Sequence, residues 1–169
     1  MDHLRKLLEI YRNRGLLLDA NLLLLYVVGR CDIRAVTSFK RTKVFTPEDY
    51  DLLENFVRYF SNIVATPNIL TEVSNFLNQL PDNIKVEHFL EFADIIRSLN
   101  EKYVASAVLA IQPQFEKFGL TDFSIIAEAR GKYLVLTDDF RLSNYLQSLQ
   151  VDAINFNHIR TYNWKMPTR

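Results

Sequence analysis

The feature that most restricts how this chain can fold is a set of short, largely apolar runs, each halted by a polar or acidic residue. Leu16-Leu17-Leu18 stops at Asp19, Asn62-Ile63-Val64-Ala65 at Thr66-Pro67, and Tyr133-Leu134-Val135-Leu136 at Thr137-Asp138-Asp139; Val151 to Phe156 is the last. Such runs are too short for helices, and their continuous rather than alternating apolarity suits strands buried on both faces. Parallel strands require long crossover connections, usually helical, and helical patterns fill the intervals here. The expected fold is therefore α/β, a three-layer sandwich with a central, mostly parallel β-sheet flanked by helices.

The intervals carry their own punctuation. Leu4, Leu7, Leu8 and Tyr11 define an N-terminal helix within residues 1–14, and Leu22 to Val28 reads as a buried helix ending at Gly29. Thr46-Pro47-Glu48-Asp49 combines an N-cap, a proline at the first helical position and first-turn acids. The helix it starts places Tyr50, Leu53, Phe56, Val57 and Phe60 on one face. Thr66-Pro67 repeats the signal for a helix carrying Ile69, Leu70, Val73, Phe76 and Leu77 toward Pro81. Residues 82–118 read as a helical section in two or more pieces; Tyr103-Val104 or Val108-Leu109 could instead supply a short strand. Thr121-Asp122 starts another helix through Ile125, Ile126 and Ala129, and Leu142, Tyr145, Leu146 and Leu149 mark the next. A polar tail covers 157–169, and residues 1–169 are expected to form a single domain.

Charge and composition remove several functions. The 169 residues contain 20 Lys plus Arg and 20 Asp plus Glu, so no overall basic field exists to hold nucleic acid, and any such contact needs a local patch. A lone Cys31 excludes an internal disulfide and a cysteine-rich zinc site, while His3, His88 and His158 lack ligand spacing. The most apolar stretch, Leu16–Gly29, is broken by Asp19 and Asn21 and is shorter than the roughly 20 residues of a membrane span. No membrane partner and no signal peptide are expected, and a cytoplasmic location follows. Neither a G-x-S-x-G elbow nor a phosphate-binding glycine loop is present.

What remains is acidic. Asp19 and the pair Asp138/Asp139 directly follow apolar strands, and in a parallel α/β sheet the carboxyl ends of the strands form the ligand-binding edge. Glu72, early on the helix after the second strand, and Asp122, at the start of the helix before the third, can reach the same edge. Singly, each has an ordinary structural role available, as a turn residue, a helix cap or a solvated side chain. Together they would repel one another unless they share a cation. Hard oxygen donors suit Mg²⁺ or Mn²⁺, one or two ions, which can activate water against a phosphodiester. A phospho-receiver domain fits less well, because its acid pair should follow the first strand rather than a late one.

Four segments, Leu16-Leu17-Leu18-Asp19-Ala20-Asn21, Ala65-Thr66-Pro67-Asn68-Ile69-Leu70-Thr71-Glu72-Val73, Leu120-Thr121-Asp122-Phe123-Ser124-Ile125-Ile126 and Val135-Leu136-Thr137-Asp138-Asp139, resemble in order those of the PIN domain, the metal-dependent nuclease fold typified by VapC-type toxins. The resemblance spans Leu16 to about Phe156. It implies that Asp19, Glu72, Asp122 and Asp139 are catalytic Mg²⁺ or Mn²⁺ ligands, with Asp138 as an accessory or alternative to Asp139. It also implies that Asn21, Thr137 and Ser124 support them. The implied activity is endoribonuclease cleavage of single-stranded or structured RNA, in toxins opposed by an antitoxin protein, and a homodimer is expected. A structure-selective DNA nuclease and a non-catalytic PIN-like module that binds protein are the alternatives. Relative to compact toxins, the N-terminal helix and the long 82–118 section are extra.

Between the second and third helices lies a basic segment. Arg30, Arg34, Lys40, Arg41 and Lys43 face one acid, Asp32, and the stretch reads as a loop that either guides RNA phosphates or is simply solvated. Phe39 within it is a candidate for stacking on a base. His158, Arg160, Tyr162 and Trp164 either form a binding edge or pack the tail onto the body.

Overall fold

The computed structural model describes residues 2–161. In chain order these form α1 (Asp2–Tyr11), β1 (Leu16–Leu18), α2 (Ala20–Cys31), α3 (Ala35–Ser38), α4 (Pro47–Tyr59), β2 (Ile63–Ala65), α5 (Pro67–Leu77), α6 (Asp82–Ser98) and β3 (Asn100–Glu101). They continue with α7 (Ser106–Ala110), α8 (Phe115–Ala129), β4 (Leu134–Thr137), α9 (Phe140–Ser148), β5 (Ala153–Asn155) and α10 (Phe156–Thr161). The five strands make one sheet in the order β3-β2-β1-β4-β5, and all four pairings are parallel. The architecture is the expected three-layer α/β sandwich of Rossmann-like type, consistent with the broad PIN-like class. Among the described residues no helix is long and apolar enough to cross a membrane.

β1 and β4 are fully buried, as their unbroken apolar runs require. β1 is the central strand, with Leu17 paired to Val64 on one side and Val135 on the other. α2 is buried from Leu22 to Gly29, because it packs against α4, α5 and α6. A helix enclosed on several sides is apolar around most of its circumference, which is why its leucine run carries no amphipathic period. Its start is set by Asp19, whose carboxylate accepts the Leu22 N–H at 2.8 Å, so the helix opens two residues before Leu22. α4 has the anticipated Thr46 N-cap, which Asp49 completes as a capping box, with Asp49 N–H donating to Thr46 Oγ1 at 3.3 Å and Thr46 N–H to Asp49 Oδ2 at 2.9 Å. The aromatic set Tyr50, Phe56, Tyr59 and Phe60 is buried in the core.

Three expectations need correction. The basic segment is not one loop: α2 continues to Cys31 and α3 forms one further turn, pinned as Thr42 Oγ1 donates to the Val36 carbonyl at 2.8 Å. Phe39 is only 7 % exposed and is a core side chain, not a stacking platform. The third strand in sequence is Asn100–Glu101, paired with Val64 and Ala65; Val108 and Leu109 lie in α7, and Tyr103-Val104 is outside any strand.

Gly29 marks a tight contact between α2 and α4. A Cβ there would lie 2.2 Å from Tyr50 Cδ2 and 2.6 Å from its Cγ. These atoms sit near the root of a ring stacked on Tyr26 with centroids 6.5 Å apart, so the ring cannot simply swing aside. Gly29→Ala gains helix propensity of about 1 kcal/mol but must overpack this contact, at a cost of about 1–3 kcal/mol. A net loss of stability in urea denaturation is the expected result; a gain would show that α4 is free to move.

Candidate metal centre

The connection from β3 reaches β4 on the far side of β1, so the winding direction reverses between β1 and β4. Ligands of open α/β sheets bind beyond the carboxyl ends of the strands at such a switch point. Asp19 and Asp138 stand at the two sides of it. The Asp138 N–H donates to Asp19 Oδ2 at 3.0 Å, while Asp19 Oδ1 is held by the Leu22 N–H. The Thr137 hydroxyl donates to the same carboxylate and accepts the Asp139 N–H at 3.0 Å.

Asp139 caps α9, with Oδ1 accepting the Arg141 N–H at 2.6 Å and the Leu142 N–H at 3.1 Å. Glu72 projects from the second turn of α5. Asp122 lies just after a break in α8 at Gly119, whose φ of +76° falls in the left-handed region open to glycine. The break restarts the helix beside the sheet edge, leaving Asp122 in the first turn of the new segment. Thus α2, α5, α9 and the second half of α8 all begin at this edge. Their positive ends offset part of the gathered negative charge.

These elements enclose a cleft of about 390 Å³ whose walls include Asp19, Asn21, Glu72, Asp122 and Asp139. The Asp138 carboxylate instead accepts a hydrogen bond from Asn21 Nδ2 at 3.1 Å, and its carbonyl takes one from Asn157 Nδ2 at 2.7 Å. Ser124 is buried and does not line the cleft. Its hydroxyl donates to the Thr121 carbonyl at 2.7 Å, so in its 2.7 Å contact with Thr66 Oγ1 the threonine is the donor. That bond ties the start of α5 to the first turn after the α8 break, fixing the helices of Glu72 and Asp122 relative to each other.

The electrostatics are those of crowded acids. Burial pushes the Asp19 carboxyl well above the ordinary range, and Asp138 adds to this against the opposing hydrogen bonds from Thr137, Leu22 and Asp138. Asp122 is raised to about 6, first by burial and then by Asp139 and Glu72, with Arg141 acting in the other direction. The chemistry of the donor set, hard carboxylate oxygens with displaced protonation, fits a divalent cation. Among the described residues, however, no three His, Cys, Asp or Glu side chains lie close enough together to chelate an ion as they stand.

Two residues at this edge carry no sequence signal that assigns them to the site. Arg141 places its guanidinium over the Phe118 ring, 5.3 Å from the centroid, beside Asp122. Thr66 is readable only as a helix cap. The basic residues lie apart from the carboxylates in sequence and largely in space. Arg30 ends α2, roughly 15 Å along its axis from Asp19, and pairs with Glu91. Arg34 pairs with Asp32. Arg41 bonds Gln79 at 2.9 Å and covers Phe76, beyond and near the far end of α5. Lys40 and Lys43 are exposed. Near the C-terminus, Arg160 pairs with Asp49 at 3.1 Å and the His158 and Phe140 rings meet in a T-shaped contact with centroids 5.2 Å apart; Tyr162 and Trp164 lie outside the described residues.

No protein-family model matches the chain, and neither curated proteins nor solved structures give a significant match to it.

Proposed function

We propose that this chain is a Mg²⁺- or Mn²⁺-dependent nuclease of PIN-like type that hydrolyses phosphodiester bonds in RNA. The observation that carries the reading is the gathering of Asp19, Glu72, Asp122 and Asp139, from distant parts of the sequence, around one cleft at the sheet's switch point. These four would hold the ion. When bound, it supplies an activated water and offsets charge on the phosphoryl oxygens. Asp19 and Asp139 present oxygens already fixed by backbone N–H groups, so little ordering is needed from them. Glu72 and Asp122 complete the set from α5 and α8. Thr137 orients Asp19, Asn21 engages Asp138, and Ser124 with Thr66 holds the spacing of α5 and α8. Arg141 contributes a cation on the Asp122 side, where a phosphate would enter.

One observation favours a second reading, a PIN-like module that binds protein without catalysis: the carboxylates do not reach chelating distance as they stand. Incubating wild type and Asp122→Asn with end-labelled RNA and sequence-matched DNA, in Mn²⁺ and in EDTA, separates the possibilities. RNA cleavage by wild type only, lost in EDTA, is expected. Cleavage restricted to DNA would reassign the substrate. Intact oligonucleotides in every lane would leave the binding module as the better account.

A further inference from the structure

Beside the acidic cleft runs a second groove of about 350 Å³ that shares Glu72, Leu120 and Thr121 with it. Its chemistry is different. The outer face of α5 lines it with Asn68, Thr71 and Asn75, and Pro67 with Leu120 provides apolar surface. Asn68, Thr71 or Glu72, and Asn75 follow one another at intervals of three and four residues, which stacks them along a single helix face over about 10 Å. No Lys or Arg lines the groove, so it is poorly suited to a phosphate. Among the described residues, no hydrogen bond engages the side chains of Asn68, Thr71 or Asn75 with another part of the protein. Their amide and hydroxyl groups face the groove with donors and acceptors to offer.

The apolar surface of Pro67 and Leu120, beside side-chain amides and hydroxyls that both donate and accept, suits a heteroaromatic ring with a hydrogen-bonding edge. Side-chain amides are the groups that read adenine and other base edges in paired donor–acceptor contacts, and unstacked bases of single-stranded RNA expose those edges. We infer that this groove is a nucleobase subsite, in which Asn68, Thr71 and Asn75 read a base of the RNA strand next to the phosphate held at the acidic cleft. The inference rests on the nuclease reading and extends it, because the shared Glu72 and Thr121 make the two compartments continuous along one substrate. The subsite makes base identity, rather than backbone charge, the source of selectivity on this side of the scissile bond.

The test compares cleavage-site profiles on a random-sequence RNA pool in Mn²⁺ for wild type, Asn75→Ala, Asn68→Ala and the inactive Asp122→Asn blank. Both asparagines are at least partly exposed, and circular dichroism melting checks that each variant folds. Wild type should enrich one base at a fixed position beside the cut. Either asparagine variant should flatten that enrichment by about tenfold or change the preferred base, the discrimination expected from losing one amide–base pair. Profiles identical to wild type in both variants, from RNA that wild type does cut, would overturn the subsite and leave the nuclease standing. No cutting by wild type above the Asp122→Asn blank would instead remove the nuclease reading, and the subsite with it.

Discussion

Millimolar Mn²⁺ should raise the thermal unfolding midpoint of the wild-type protein by about 5–10 °C and leave Asp122→Asn almost unmoved. An ion that binds only the folded chain stabilises it by about 2.7 kcal/mol at a hundredfold excess over its Kd. For a chain of this size each kcal/mol is worth about 2–4 °C. Asp122 is the proposed ligand to remove because it is the part-buried carboxylate pressed by both Asp139 and Glu72. Asparagine keeps the shape and takes away the charge. Cleavage by the variant should fall about 10²–10³-fold, the loss seen when a group that stabilises developing charge is deleted. Equal shifts in both proteins would place the ion elsewhere.

Removing divalent ions should expose an unusual pH dependence. Asp122 titrates at about 6 in the folded chain against 3.8 ordinarily, so between those values the native state keeps a proton that the unfolded chain has released. Stability from this group is fully present below about pH 4, declines as pH rises toward 6 and is then flat. The full shift corresponds to roughly 3 kcal/mol, and screening of this partly exposed carboxyl reduces that to about 1–2 kcal/mol. Asp19, displaced in the same direction by burial and Asp138, adds to the decline. Exposed Asp32, Glu48 and Asp82 are shifted downward and act oppositely, their contribution being lost only as pH falls below the ordinary carboxylate range. Urea denaturation in EDTA from about pH 4.5 to 7.5 should therefore show falling stability. Asp122→Asn should flatten the curve, and Mn²⁺ should reverse it, since the ion takes the deprotonated form. A rise in stability over that range in EDTA would contradict the crowding of these acids.

The strands were readable where burial on both faces left nothing but apolar residues, as in Leu16–Leu18 and Leu134–Leu136. β3 was not, because Asn100-Glu101 is a two-residue edge strand and needs no apolar run. The helix starts at Thr46 and Thr66 were legible because capping is local chemistry, spelled out within four residues. The burial of Phe39 is illegible for the opposite reason: it depends on α3 and on the Thr42 clasp, which no local pattern announces. The acids themselves could be found from their places after strands and at helix starts. What one-dimensional reasoning does not contain is the strand order, and it is the adjacency of β1 and β4 that brings Asp138 onto Asp19. The roles of Arg141 and of the Thr66–Ser124 bond are set only by neighbours remote in sequence, so no local pattern carries them.

The same adjacency has a consequence for synthesis. Within these 169 residues β1 is made early, yet one of its two neighbours, β4, follows only after about four-fifths of them. Until that strand slots in beside it, Asp19 lacks the Asp138 amide that holds its second oxygen. A cleft assembled this way has a built-in delay. A nascent chain that stops short of β4 carries Asp19, Glu72 and Asp122 but not the edge that gathers them with Asp139.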